Sequence, residues 1–234
     1  MSFNQSPAFV LRRKPYRENA LLLDLYTQHE GRISAIARFS KKQSMRLKGM
    51  LEPFRLLEAS WTGRGEVFTM TQTEERGRFS LKQDALLQAM YMNELLLRVF
   101  QPLQATPELF EQYQQTLFHL QRGADMRQVM LFELAILAHC GHDLNLWYDD
   151  KDEQAIVAGE RYCFQFEQGL TRVNLHSDLP DANDTVLSGE LLIALREPAQ
   201  LSLPLGRELR QVLDRLWRIL LKGKTLYARQ LLSE

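Results

Sequence analysis

The chain has 234 residues, 45% of them hydrophobic and 25% charged, which suits one or two globular domains with a substantial core. No apolar run approaches the ~20 residues that span a bilayer, and the N-terminal stretch MSFNQSPAFVLRRKP lacks the pattern of a secretory leader. Two cysteines, Cys140 and Cys163, make no disulfide framework, so a reduced, cytoplasmic setting is expected.

Lys and Arg number 29 and Asp and Glu number 29, so the chain is formally neutral, but the charge is unevenly laid out. Residues 1–80 hold fourteen basic and eight acidic side chains, a surplus of +6 that the remainder cancels. The acidity gathers between Asp143 and Glu190. A basic module beside an acidic body points to a polyanionic partner for the module.

The first eighty residues read as short strands. AFVLRR (Ala8–Arg13) runs into a turn at Lys14-Pro15, and ALLLDLYT (Ala20–Thr27) ends at the Glu30-Gly31 turn. RISAIAR (Arg32–Arg38) alternates, with Ile33, Ala35 and Ala37 on one face. FRLLEASW (Phe54–Trp61) and EVFTMTQT (Glu66–Thr73) flank the hairpin signal Thr62-Gly63-Arg64-Gly65. Five short strands with one long polar connection suit a small closed barrel, most economically the five-stranded OB-fold. The long connection, ARFSKKQSMRLKG (Ala37–Gly49), carries five basic residues and no acid. It reads either as a solvated link or as a flexible loop that meets phosphates without reading sequence. Phe39, Phe54, Trp61 and Phe68 read either as barrel core or as platforms for stacking bases.

After Phe79 the periodicity becomes helical. Leu81–Phe100 is apolar on nearly every face and reads as a central, buried helix, with Glu94 and Arg98 at i, i+4. Thr106-Pro107 is a helix start with Thr as N-cap, and Asp125 is expected to cap a third helix that Gly141 stops. Residues 143–187 form an acidic insertion within which Arg161–Leu175 reads as a hairpin turning at Gln168-Gly169. Helices return near Ser188–Arg196, Pro204–Leu221 and Thr225–Leu232. The expected organisation is α+β: an OB-fold nucleic-acid-binding domain over 1–80 and a mostly helical domain over 81–234.

Catalytic motifs fail on spacing. Lys222-Gly223-Lys224-Thr225 contains the tail of a phosphate loop, but the required upstream glycine is Arg218. His139, Cys140, His142 and Asp143 are metal-ligand types, joined at a distance by Cys163 and His176, yet no pair has Cys-x₂-Cys spacing. They read as a helix C-terminus with Gly141 in the left-handed conformation, and no metal or cofactor is expected. No nucleophile motif marks a Ser/His/Asp or Cys/His set, and a binding protein is expected rather than an enzyme.

The blocks LKGMLEPF (Leu47–Phe54), GRGEV (Gly63–Val67), YMNELLLRVF (Tyr91–Phe100), FELAILAHCGHDLNL (Phe132–Leu146) and GKTLYARQLL (Gly223–Leu232) resemble, in order and spacing, those of the RecO family of bacterial DNA repair and recombination mediators. The resemblance implies an OB-fold followed by a helical domain, without ATP-dependent or other catalysis. It implies binding of single- and double-stranded DNA, annealing of complementary strands and, with RecR, loading of RecA onto strands coated by single-strand-binding protein. A nucleoid-associated cytoplasmic location follows. Many relatives carry a four-cysteine zinc site, and this chain, with two cysteines, departs from that version. DNA contact is assigned to Arg32, Arg38, Lys41, Lys42, Arg46 and Lys48. The family's helical domain captures the acidic C-terminal tail of single-strand-binding protein, and Arg127, Leu131 and Leu134 are the residues assigned to that tail. The residues taken without the resemblance equally permit an RNA-associated OB protein.

Overall fold

A computed structural model of the chain describes residues 4–40, 44–173 and 184–232. Five strands, β1 (Asn4–Pro15), β2 (Ala20–Thr27), β3 (Gly31–Arg38), β4 (Arg55–Thr62) and β5 (Val67–Arg78), close into a barrel in the order β1-β2-β3-β5-β4. The β3–β5 pair is parallel and the others are antiparallel. This is an OB-fold barrel. Its interior follows the period-2 alternation: Ile33, Ala35 and Ala37 point inward with Leu23, Leu25, Leu57 and Ala59.

β2 is buried on both faces, and the reason lies in the helices that follow the barrel. α3 (Pro107–Leu120) and the residues just before and after α2 (Gln83–Val99) lay aromatic side chains on the outer face of β1 and β2. Phe9 meets Phe79, Phe110 and Tyr113 with ring centres 5.0–5.9 Å apart, and Tyr26 meets Phe100 and Phe110 at 6.3 and 5.3 Å. Buried Asn93 joins three elements: its amide donates to the Leu11 carbonyl at 3.1 Å and its oxygen accepts from the Tyr113 hydroxyl at 2.6 Å. Thr106 stands at the N-cap position of α3, as expected, but its side chain makes no capping bond; its hydroxyl pairs with that of Tyr26 at 2.6 Å instead. A buried phenol needs a partner more than an exposed helix end does.

Strands give way to helices near residue 80, but packing divides the chain elsewhere. One compact unit holds residues 1–126 and 226–234, and the other holds 127–225. The C-terminal α7 (Tyr227–Leu231) belongs to the first unit because the Glu94 carboxylate accepts the N–H groups of Tyr227 and Ala228 at 3.0 and 2.8 Å. An acid at a helix start meets unpaired donors there.

The second unit contains α4 (Met126–His139), a three-stranded antiparallel sheet, α5 (Gly189–Ala194) and α6 (Leu203–Leu220). The sheet order is β7 (Gly169–Arg172), β6 (Arg161–Gln165), β8 (Thr185–Ser188). The expected hairpin is therefore two strands of three. β8 is four residues long, too short for a periodic signal, and its pairing with β6 is what makes it a strand.

The basic connection also differs from expectation. Ser44–Met50 is a helix, α1, and not a flexible loop. Its Leu47 and Met50 pack against the barrel core beside fully buried Leu51, while Arg46 and Lys48 face solvent. A stretch free of proline, with apolar residues three and four apart beside a greasy barrel end, coils to bury them. Lys41 and Lys42 lie outside the described residues.

Candidate nucleic-acid interface

The strand register gathers cations at one end of the barrel. Lys14 faces Leu22 and Leu22 faces Ile36, while Ala20 faces Arg38, so Lys14, Arg38 and the β1–β2 turn share that end. The turn carries Arg17 at φ 54°, with its guanidinium 5.4 Å from the Tyr16 ring centre. α1, whose Lys48 carbonyl accepts from Arg13 beside Lys14, adds Arg46 and Lys48. Arg38 and Arg46 make no ion pair among the described residues, so their charge is open to a ligand.

Behind these exposed cations runs a ladder of paired ones. Arg13 donates to the Lys48 carbonyl at 2.6 Å and to Glu52 at 3.2 Å, which fastens α1 to β1. Glu52 also takes Arg55 at 3.2 Å; Arg55 reaches Glu75 at 2.8 Å; Arg78 reaches Glu75 at 2.9 Å. Arg78's hydrogen bond, with Arg55 adding to it, holds the Glu75 carboxyl below the usual carboxylate range. Three arginines share two carboxylates here, so the ladder retains a positive surplus.

Arg13, Pro15, Arg17, Glu18, Leu21, Phe39, Met45, Lys48 and Glu52 line a groove of about 560 Å³ between the β1–β2 turn and α1. The Lys48 ammonium sits 5.2 Å from the Phe39 ring centre. The aromatics offered for base stacking are otherwise engaged: Phe39, Phe54 and Trp61 are buried, and Phe68 packs against the barrel core. Phe39, Trp61 and Phe68 pack in the barrel core because a five-stranded barrel is narrow and needs large inward residues, whereas Phe54 lies outside that cluster, beside Met90 and Leu97 of α2.

Arg32 does not join Arg38. It starts β3 where Arg38 ends it, roughly 20 Å away at 3.3 Å per residue. It is half-buried, its Nε donates to the Phe100 carbonyl at 3.0 Å, and its own carbonyl accepts from Leu103 at 2.9 Å. This side chain ties the barrel to the end of α2.

Arg127, Leu131 and Leu134 lie half-buried along α4. Arg127 donates to the Ala199 carbonyl at 3.1 Å. Between them Glu133 is fully buried, held by Arg210 at 2.5 and 2.9 Å and by the Trp217 indole N–H at 2.6 Å. The sequence reading passed over Glu133, whose signal was a lone acid inside the apolar run MLFELAILA.

The histidine–cysteine segment ends α4. Gly141, at φ 80°, donates to Ala138 at 2.9 Å and His142 donates to Leu137 at 2.9 Å, the paired bonds of a Schellman C-cap. Burial raises the Cys140 thiol and pushes Cys163 up to about 11, so both are neutral thiols at neutral pH. Among the described residues no three His, Cys, Asp or Glu side chains group as metal ligands, and no helix is long and apolar enough to cross a membrane. Gly223 likewise sits in a helix-ending turn, donating to the Arg218 carbonyl at 2.8 Å.

The sequence is similar to those of known proteins. The family descriptions "Recombination protein O N terminal" and "Recombination protein O C terminal" match residues 1–79 and 82–150. Relatives named DNA repair protein RecO include one from Marinobacter nauticus, 36% identical over 98% of this chain and 94% of its own length. Those from Nitrosococcus oceani and Psychromonas ingrahamii are 35% and 31% identical, over 97% and 100% of this chain and 92% and 99% of their own. Among solved structures, an asparaginyl-tRNA synthetase from Entamoeba histolytica aligns over 74% of this chain and 39% of that one, at 11% identity and a TM-score of 0.29, too slight a likeness to build on. The OB-fold barrel, the helical region with its small sheet, and these full-length relatives agree: the chain belongs to the RecO family of DNA repair and recombination proteins.

Proposed function

We propose that this chain is a non-enzymatic recombination mediator that binds single- and double-stranded DNA through the basic end of its barrel. The observation that carries the reading is the convergence of Lys14, Arg17, Arg38, Arg46 and Lys48 at that end. In OB-folds the β1–β2 turn lies at the ligand face. Cations on a rigid barrel neutralise phosphates without selecting sequence, which is what an annealing protein needs. Two strands held with their charge screened meet with less repulsion, and base pairing then drives the product without nucleotide hydrolysis.

Family membership supports the wider role: action with RecR in loading RecA onto strands coated by single-strand-binding protein. Arg127, Leu131 and Leu134 are the proposed contacts for that protein's acidic tail, a guanidinium for the terminal carboxylate and apolar surface for the last side chain. Arg127→Ala should cost about 1.5–3 kcal/mol of tail-peptide binding by calorimetry, the range for a hydrogen bond to a charged group. Equal affinities would move that contact elsewhere.

The direct test of DNA binding is anisotropy with labelled single-stranded DNA, duplex DNA and RNA across a salt series. Binding to both DNA forms that falls steeply with salt is expected. Tight binding to RNA alone would replace the mediator with an RNA-associated OB protein.

A further inference from the structure

The surface of α1 holds an apolar side chain that packing does not explain. Met45 is 89% exposed beside Arg13, Arg17 and Lys48 at the end of the barrel where cations gather. It precedes Leu47 by two residues, which on a helix turns it about 200° away from the side that packs on the barrel. Instead it lines the 560 Å³ groove, within the size range of small-ligand sites.

The groove is mixed in character. Arg13, Arg17 and Lys48 line it, but so do Glu18 and Glu52. Two carboxylates repel a phosphate at close range and accept hydrogen bonds from an amino group. Glu52 already accepts from Arg13 and Arg55, whereas Glu18 has no hydrogen bond or ion pair among the described residues. Pro15, Leu21 and Met45 supply apolar surface for a flat ring. Thioether sulfur makes favourable contacts with aromatic faces.

We infer that this groove receives one unstacked base of single-stranded DNA, with Met45 as its stacking platform and Glu18 accepting from an exocyclic amino group, while the cations beside it hold the flanking phosphates. The inference rests on the DNA-binding reading and deepens it. A paired base in a duplex cannot enter such a groove without leaving its stack. The groove therefore distinguishes single strands from duplex, and it favours cytosine and adenine over thymine, which has no exocyclic amino group.

The test uses the full chain with equal-length oligo(dC), oligo(dA) and oligo(dT) and a duplex, all read by anisotropy. Met45→Ala should weaken single-strand binding on the order of ten-fold, within the range for loss of one stacked base, and leave duplex binding unchanged. Wild type should bind oligo(dC) and oligo(dA) more tightly than oligo(dT), and Glu18→Ala, which removes the acceptor that a Gln amide oxygen would keep, should erase that preference. Both side chains are exposed, and matching thermal melts would exclude misfolding. An unchanged single-strand affinity in Met45→Ala, or an equal loss on duplex, would overturn the groove while leaving salt-dependent DNA binding standing. A wild-type chain that bound no DNA would overturn both.

Discussion

Glu133 on α4 and Arg210 on α6 form a two-pronged ion pair across 77 residues of sequence, with the carboxylate at 0% exposure. Arg210 also reaches Asp214 at 3.0 Å, so the guanidinium is shared between a buried and a half-exposed acid. Removing one partner strands a desolvated charge. Arg210→Ala, which takes this cation from the fully buried Glu133 carboxylate, should destabilise the chain by about 3–5 kcal/mol, whereas Glu133→Ala leaves Arg210 its Asp214 partner and should cost less. Urea unfolding of Glu133→Ala, Arg210→Ala and the double variant would check this: the double variant should lose much less than the sum of the singles. Additive losses would mean that the pair is not coupled.

The exposed cations at the basic end of the barrel and the bonded Arg32 at the other end of β3 should respond differently to substitution. Changing Arg38, Arg46 and Lys48 to Ala together should weaken binding of all DNA sequences alike. It should also reduce the salt slope by about 3, one unit for each lost phosphate contact. The fold should survive, because these side chains are exposed. Adding Lys41 and Lys42 to the set should deepen both effects. Arg32→Ala should do the opposite, lowering the melting temperature through loss of the Phe100 bond while sparing the salt slope. An unchanged slope in the triple variant would return this surface to the status of a solvated connection.

Gly31 turns β2 into β3 at φ 70°, and a Cβ there would overlap the Gln104 carbonyl. Both left-handed strain and backbone collision oppose any side chain. Gly31→Ala should therefore destabilise by more than about 1 kcal/mol, readable as a lower urea midpoint with an unchanged slope. A neutral result would mean that the segment around residue 104 yields freely.

The ladder Arg13–Glu52–Arg55–Glu75–Arg78 makes the barrel acid-sensitive at Glu75. Its carboxyl is held below the ordinary value, so its stabilising effect is present above an unfolded pKa of about 4.3 and is lost as pH falls through the lower folded value. Glu75→Gln should be less stable than wild type at neutral pH, and the two should converge below pH ~4, measured by thermal melts across pH. A constant gap would assign the difference to packing rather than charge.

The sequence by itself determined the local grammar. Alternation placed Ile33, Ala35 and Ala37 on the inner face of β3, and Gly141 marked the end of α4, because such periods and turn preferences are properties of neighbouring residues. The ordered blocks from Leu47 to Leu232 carried the family. The tertiary structure decided what depends on closure and distant partners. Period 2 names two faces but not which is covered, so only the closed barrel could commit Phe39 and Trp61 to its interior. Charge counting cannot tell a paired arginine from an open one: Arg32 and Arg38 look alike in sequence, yet one is bound to a carbonyl 68 positions away and the other is exposed. β8 exists because β6 supplies its hydrogen bonds, and α7 returns to α2 because Glu94 has room for two backbone donors. These are long-range pairings, and no local signal encodes a partner that the chain meets only after it has folded.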